Sequence, residues 1–312
     1  MHKEKISFVI PCYRSENTIS DVVDEIVATV QKTSYDYEVV LVNDGSPDNT
    51  LNKIKDIVVK HKNIVAVNLA KNFGQHAALM AGFQYVSGDL VVCLDDDGQT
   101  PPSECLKLID KLNKGFDAVY ASYESKKHSV FRNLGSAVNE RMLRLLLNKP
   151  KSLKVSSYFI VKKFIIDEIK KYESPFPYVL GLVLRTTDSI ANVNVEHKKR
   201  VTGESGYTLK TLLALWLNGF TAFSIKPLRI SSYFGLLCAG VGFVYAIFII
   251  VRRLLDPTSI LMGWSSMMAA LTIIGGMILF VLGLLGEYIG RIYLSLNKSP
   301  QYVVKECIKS AD

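Results

Sequence analysis

Two stretches near the C-terminus carry no charge, and no other feature limits the fold as tightly. One fills residues 230–251, between Arg229 and Arg252; the other fills 257–286, between Asp256 and Glu287. Each is longer than the ~20 apolar residues a helix needs to cross a bilayer. A core helix of a soluble protein seldom goes so far without a charge, so the pattern predicts two transmembrane helices within 230–290. Of the 312 residues 49% are hydrophobic, and this uneven spread is the reason: the first two thirds carry charges throughout. Lys226, Arg229, Arg291 and Lys298 flank one side of the expected pair and Arg252 and Arg253 the other, a weak positive-inside bias. The N-terminal ISFVIPCY is a short apolar run broken by Pro11, too short for a signal core. The charged N-terminal part is therefore expected on the cytosolic side, with the C-terminus returned to it.

Ahead of the membrane segment, apolar runs alternate with amphipathic ones. ISFVI, EVVLVN, IVAVNL, LVVCLD and DAVYAS have the look of buried strands. Residues 18–30, 51–59, 76–86 and 104–112 place apolar side chains at helical spacing between them. Such alternation predicts a parallel sheet covered on both faces. Ligands of such sheets sit beyond the C-terminal strand ends. That rule brings the loops at 11–16, 43–46 and 95–100 into one crevice. Farther on, 130–147 reads as helical and VSSYFIV and IANVNVEH as strands. Residues 207–223 are apolar nearly all round, which fits a helix lying in the membrane interface or a core helix equally well.

The sharpest chemical feature is Asp95-Asp96-Asp97 at the end of a buried strand. Adjacent carboxylates repel one another, and a hard cation relieves the repulsion. In an extended segment Asp95 and Asp97 point to the same side, so the pair can hold Mg²⁺ or Mn²⁺ against a diphosphate. The bland alternative is a solvated acidic turn before a helix. Asn43-Asp44-Gly45-Ser46 follows the second strand, where Asp44 can accept from a base or ribose; alone, such a tetrapeptide is more often only a turn. A basic segment, His197-Lys198-Lys199-Arg200, precedes Gly203-Glu204-Ser205-Gly206-Tyr207. Arg200 can bind a phosphate bidentately with help from Ser205, or the run can meet anionic headgroups. Arg132, beside Lys126 and Lys127, is a second phosphate contact of the same kind. No GxGxxG follows any strand, which argues against a dinucleotide enzyme, and no GxxxxGK[ST] is present, which excludes a P-loop. The five scattered cysteines read as reduced thiols. The net charge of +8 is accounted for by phosphates and a membrane surface, with no nucleic-acid motif.

Together, PCYRSEN, VNDGSPDNT, KNFGQHAALMAGFQYVSGD, LDDDGQTPP, HKKRVTGESGY and EYIGRIY resemble inverting family 2 glycosyltransferases, over nearly the whole chain and in order. The subgroup they resemble is the polyprenyl-phosphate glycosyltransferases, bacterial relatives of dolichol-phosphate mannose synthase. The resemblance implies an α/β GT-A domain with a mostly parallel sheet and helices on both faces, over residues 1–206. It further implies an amphipathic juxtamembrane segment at 207–229, two transmembrane helices within 230–290 and a cytosolic tail at 291–312. By the same resemblance Pro11, Tyr13, Glu16 and Asp44 match nucleotide-binding positions. Asp95 and Asp97 match the metal-binding aspartates, with Gln99 in the same nucleotide-facing loop. Arg200 and Ser205 match the segment that handles acceptor and donor phosphates, and Asp95, Asp97 and Arg200 carry the catalytic role. The family is often oligomeric, with tetramers in some members. Its bacterial members sit in the cytoplasmic membrane with the catalytic domain facing the cytosol.

The expected reaction passes a sugar from a nucleotide donor, a UDP-sugar by preference, to undecaprenyl phosphate for modification of an envelope glycan. Three departures stand out. Arg14 and Ser15 replace the common Asn and Glu, and Gly98 and Thr100 replace Leu and Asp in the acidic loop. Around Ser156-Ser157-Tyr158-Phe159 there is no aspartate where relatives often carry one assigned as base. A phosphate monoester has a second pKa of about 6 and is largely dianionic at neutral pH, so it needs positioning more than proton removal. Two other readings compete. A processive polysaccharide synthase would need a QxxRW motif, which neither Trp216 nor Trp264 supplies. A non-catalytic nucleotide-sugar-binding membrane protein would leave the acidic triplet without a use.

Overall fold

The computed structural model describes residues 3–123, 153–196, 226–255 and 263–310. It divides into two compact units, residues 1–213 with 298–312 and residues 214–297. Of the segments read from sequence, the helix at 130–147 and the apolar segment at 207–223 lie outside the described residues.

The first unit is built on one eight-stranded sheet. Its first half follows the expected alternation: β1 (Lys5–Cys12), α1 (Ile19–Val30), β2 (Asp36–Asn43), α2 (Thr50–Lys60), β3 (Ile64–Leu69), α3 (Gln75–Phe83), β4 (Leu90–Cys93), α4 (Cys105–Leu112) and β5 (Ala118–Ser122). A 3₁₀ turn, Pro102–Glu104, leads into α4. Then come β6 (Phe159–Lys162), α5 (Lys163–Ile169), α6 (Val179–Thr186) and β7 (Ile190–Asn194), and at the far end of the chain β8 (Val304–Lys309). The spatial order is β7-β5-β6-β4-β1-β2-β3-β8. β1, β2, β3 and β4 are mutually parallel, whereas β6 runs antiparallel to β4 and β5, and β8 antiparallel to β3. The sheet is thus mixed. The expected parallel sheet extends from β4 to β3 and returns at the β5–β7 pair.

The strands read as continuous apolar runs because both faces are covered. On one face α1 buries Ile19, Val22, Val23, Ile26 and Val30, the i, i+3, i+4, i+7 stripe of an amphipathic helix. These pack with Phe8, Leu41, Ile54, Leu108 and Tyr158 into one cluster. On the other face α3 lies so close to the sheet that a Cβ on Gly82 would come within 2.6 Å of Val9 and 3.0 Å of Val42. Only glycine permits that approach, and it seats the N-terminus of α3 at the sheet edge where β1 and β2 end.

β1 has β2 on one side and β4 on the other, and the chain reaches β4 only after passing through β3. This reversal of direction leaves a crevice beyond the C-terminal ends of β1 and β4, the place where open α/β sheets bind ligands.

The described residues of the second unit include two long helices, α7 (Lys226–Leu255) and α8 (Trp264–Leu296). Among the described residues one segment, Ile273–Leu296, is long and apolar enough to cross a membrane by length and composition. Its large side chains stand exposed, Leu279 and Phe280 among them. After α8 the chain rejoins the first unit. Residues 304–309, expected as part of a tail, form β8 at the sheet edge because antiparallel pairing with β3 covers that strand's open backbone groups.

At the opposite, N-terminal end of the strands, Glu38 is only 12% exposed in its side chain. It accepts from Lys5 Nζ and Ser7 Oγ at 2.6 Å, from Ser87 N at 2.5 Å and from Ser87 Oγ at 2.8 Å. Burial alone would raise its carboxyl, but the hydrogen bonds from Lys5, Ser7 and Ser87 outweigh it and bring the pKa from the usual 4.5 to about 2. The folded-state value lies below the unfolded one, so the stability it lends is full above pH 4.5 and is lost as pH falls toward 2. Glu38→Gln should cost about 2 kcal/mol in denaturant unfolding at pH 7. That difference should narrow steadily when the titrations are repeated from pH 4.5 downward.

Candidate active site

Four loops meet at the C-terminal ends of β1 to β4, and carboxylates tie them together. Asp96, Asp44 and Asp95 each draw donors from a loop other than their own. The β1–α1 loop is fixed by Asp96: Tyr13 N donates to Asp96 Oδ2 at 3.0 Å, and Ser15 Oγ donates to the same oxygen. The same loop is tied to the β2–α2 loop, with Arg14 N donating to Ser46 Oγ and Ser15 N to Thr50 Oγ1, both at 2.8 Å. Glu16 Oε2 accepts from Asn49 N at 3.0 Å across the same seam. Arg14 is held at φ +58°, rare for a residue with a side chain, and its guanidinium lies 5.5 Å from the centre of the Tyr13 ring. Tyr13 is 43% exposed, its ring available to a stacking partner.

Asp44, only 3% exposed, secures the next pair of loops. Its Oδ1 accepts from Phe73 N at 2.7 Å and its Oδ2 from Gly74 N at 2.9 Å. Burial raises its carboxyl, and the Phe73 and Gly74 amides only partly offset this. Sequence alone offered Asp44 as an acceptor for a base or ribose; in the folded chain both oxygens already receive main-chain donors. Gly45 follows at φ +59°, and a Cβ there would meet Lys71 C at 2.3 Å, so the two loops pack backbone on backbone.

The acidic loop closes the arrangement. Asp95 Oδ1 accepts from Gln75 Nε2 at 2.7 Å, and Asp95 Oδ2 accepts from Ser157 Oγ. Ser157 arrives there through register. β4 and β6 pair Cys93 with Phe159, and continuing that antiparallel ladder by two residues sets Ser157 opposite Asp95. Burial pushes the Asp95 carboxyl up to about 6; the Ser157 hydrogen bond opposes this, while Asp97 and Asp96 add to it. Asp96 is also raised, by burial against the Ser15 and Tyr13 hydrogen bonds. Asp97 Oδ1 accepts from Gln99 N at 3.0 Å, the local turn that rounds the loop. Thr100 Oγ1 and Tyr123 OH, 3.1 Å apart, carry the network to β5.

Asp95 and Asp97 belong to one loop with Gln99, and Asp96 turns the other way, as strand alternation requires. Among the described residues no three His, Cys, Asp or Glu side chains form a closed metal cage. A cation bound through one or two carboxylates and completed by substrate phosphates needs none, which is how Mg²⁺ usually sits. The mutual charge of Asp95, Asp96 and Asp97, visible in the raised Asp95 carboxyl, is what such a cation would relieve. The donor set therefore fits a hard divalent ion.

The structure brings together Tyr13, Glu16, Asp44, Asp95, Asp97 and Gln99 at one sheet edge, with Pro11 buried at the end of β1 opposite Val42. Arg132, Arg200 and Ser205 lie outside the described residues. The sequence reading missed Ser15, Gln75, Asp96 and Ser157 as parts of the site. Gln75 was visible only as a letter in KNFGQHAA, and Ser157 only as a position lacking an acid.

The family model described as Glycosyl transferase family 2 matches residues 7–170, and one described as GtrB C-terminal hairpin matches residues 226–292. The chain is 32% identical to the glycosyltransferase YkcC of Bacillus subtilis (strain 168), over 96% of this chain and 93% of that one. It is 33% identical to the undecaprenyl-phosphate 4-deoxy-4-formamido-L-arabinose transferase of Aeromonas hydrophila, over 98% of this chain and 94% of that one. Among solved structures, Mycobacterium tuberculosis glucosyl-3-phosphoglycerate synthase shares the fold with a TM-score of 0.53 and 23% identity, over 70% of this chain and 78% of that chain. Its complex with Mn²⁺, UDP-glucose and phosphoglyceric acid gives a TM-score of 0.54 at 22% identity, over the same 70% and 78%.

The Asp96 tether makes a prediction that needs no substrate. Asp96→Ala should raise the exchange rate of the Tyr13 amide about tenfold or more, a loss of about 1.5 kcal/mol in local opening. Asp96→Asn, which keeps a carbonyl acceptor, should retain much of the protection. Hydrogen exchange read by mass spectrometry or NMR would check both.

Proposed function

The chain belongs to glycosyltransferase family 2, and on that premise we propose that it transfers a sugar from a nucleotide-sugar donor to polyprenyl phosphate at a membrane. The observation that carries this reading is the acidic loop Asp95–Gln99 locked against the Tyr13 loop at the sheet's switch point, in a chain that also carries a long apolar hairpin.

On this reading the donor, a UDP-sugar, lies in the crevice beyond β1 and β4. Tyr13 offers its exposed ring to the base, and the 44–46 turn flanks it. Asp95 and Asp97, with Gln99, hold a divalent cation, Mg²⁺ or Mn²⁺, which when bound neutralises charge on the departing diphosphate. The solved structure of the same fold with Mn²⁺ and UDP-glucose offers a precedent for such a loading in another protein. The acceptor phosphate, with its second pKa of about 6, is already a nucleophile at neutral pH and attacks the sugar C1 in line, inverting it. No residue of the 153–162 segment has to act as base. Ser157 Oγ is engaged by Asp95, and Ser156 Oγ donates to Ala121 O and Tyr158 O at 2.8 and 2.9 Å. Arg200, Ser205 and Arg132 are proposed to steer the phosphates.

Chain connectivity supports a membrane topology. The chain leaves the sheet before α7 and rejoins it at β8, so any crossing between those points must occur an even number of times. With Ile273–Leu296 as one crossing, α7 supplies the second. This supports a two-span hairpin in the bacterial cytoplasmic membrane with the α/β unit on the cytosolic side. The match to a relative named for undecaprenyl-phosphate transfer runs over 98% of this chain and 94% of that one, the apolar segments included.

Purified protein in detergent, given undecaprenyl phosphate, Mn²⁺ or Mg²⁺ and a panel of labelled UDP- and GDP-sugars, should move label into the lipid fraction with one donor. EDTA or Asp97→Ala should reduce that transfer at least 100-fold while the protein stays folded; full activity in either would overturn the metal role. Cation affinity should also fall as pH drops through about 6, because the protonated Asp95 carboxyl competes with the ion.

A further inference from the structure

The strand that follows the membrane hairpin is joined to the candidate donor edge by a row of side chains crossing three strands. Register sets Asn43 of β2 opposite Asn68 of β3, and Asn68 opposite Glu306 of β8. Asn68 Nδ2 donates to Glu306 Oε1 at 2.9 Å, and Asn43 Nδ2 donates to Asn68 Oδ1 at 2.8 Å. Asn43 and Asn68 are 3% and 4% exposed, whereas the Glu306 side chain is 39% exposed and also faces Lys55 Nζ of α2 at 3.5 Å.

The row has a direction, and Glu306 imposes it. An ionised carboxylate only accepts, so Asn68 must turn its NH₂ toward β8 and its carbonyl toward β2. Asn43 must then turn its own NH₂ toward Asn68. Its Oδ1 is left buried, with no partner among the described residues. The Asn68 hydrogen bond, joined by Lys55, holds the Glu306 carboxyl below its ordinary range, so the acceptor stays ionised at neutral pH and the direction does not reverse. Asn43 immediately precedes Asp44, whose N–H donates to Cys12 O at 3.0 Å and whose carboxylate anchors the start of α3.

We infer that Glu306 is a positioning residue for the donor loop at 44–46, acting through Asn68 and Asn43, so that the strand returning from the membrane hairpin completes the nucleotide edge of the site. The inference takes that edge from the reading proposed above. Removing the acceptor at 306 frees Asn68 to rotate, uncouples Asn43 and loosens the loop where β2 ends.

The test uses the full chain in detergent, with UDP as the probe ligand. Glu306→Ala should weaken UDP binding, measured by calorimetry, about tenfold. In the transfer assay it should raise the donor KM to the same extent, with kcat and the KM for undecaprenyl phosphate unchanged. Glu306→Gln keeps a carbonyl acceptor facing Asn68 and should restore the wild-type values. Lys55→Ala breaks the ion pair but not the row and should leave them unaltered. Hydrogen exchange at residues 44–46 should rise in the Ala variant alone. That readout needs no turnover, so it stays decisive if no sugar is transferred and the functional reading itself fails. Unchanged exchange and donor affinity in Glu306→Ala would overturn the inference. So would a Gln variant as impaired as the Ala one, which would assign the effect to charge, or a parallel rise in the acceptor KM, which would assign it to general loosening of the fold.

Discussion

Carboxylates placed where a parallel sheet runs out of backbone partners hold this site together. At the C-terminal ends of β1 to β4 the ladder stops and the loops diverge. Asp96 and Asp44 then collect the main-chain N–H groups of Tyr13, Phe73 and Gly74, each from a neighbouring loop. Charge-assisted hydrogen bonds of this kind are about twice as strong as neutral ones, and they have a direction. They convert four loops into one surface before any ligand is present. An Ala at either position would leave these main-chain amides without their acceptors and release one loop from the next.

That solution concentrates negative charge. Asp95, Asp96 and Asp97 stand in sequence, and the Asp95 carboxyl is driven up to about 6 by burial with its acidic neighbours adding to the effect. A fold selected for stability alone would avoid this. The division of labour within the triplet explains how it is tolerated. Asp96 faces back into the fold, where Tyr13 and Ser15 donate to it, while Asp95 accepts from Gln75 and Ser157 in the loop it shares with Asp97. Glu38, at the opposite end of the same strands, shows the contrast. It too is buried, but Lys5, Ser7 and Ser87 surround it so completely that its carboxyl falls to about 2. One end of the sheet gathers carboxyls raised by burial and the other holds one lowered by its donors.

The sheet also constrains the membrane segment. Because β8 pairs with β3, the polypeptide must come back to the α/β unit after α8, and a single crossing is incompatible with that return. The same strand carries Glu306 into register with Asn68 and Asn43. In chain order the second unit is therefore an insertion between two parts of one sheet.

Much of this was legible in the residues. Continuous apolar strands such as VVLV and LVVC, the helical stripe of α1 and the two uncharged stretches declare themselves locally, since burial on two faces, on one face or in lipid each demands a different pattern. The acidic triplet at a strand end was equally plain, because like charges in a row have few structural uses. The mixed character of the sheet was not legible, since an antiparallel strand such as β6 has the same apolar composition as a parallel one. Nor were the partners of each aspartate. Gln75, Ser157 and Ser15 reach the acidic loop only through strand order and register, and β8 reaches Asn68 from more than two hundred residues away. The chain by itself determined which segments are buried, which run long and apolar without a charge, and which residues carry the charge. Tertiary structure alone decided which donors reach each carboxylate, because hydrogen bonds between loops depend on distances that no local pattern encodes.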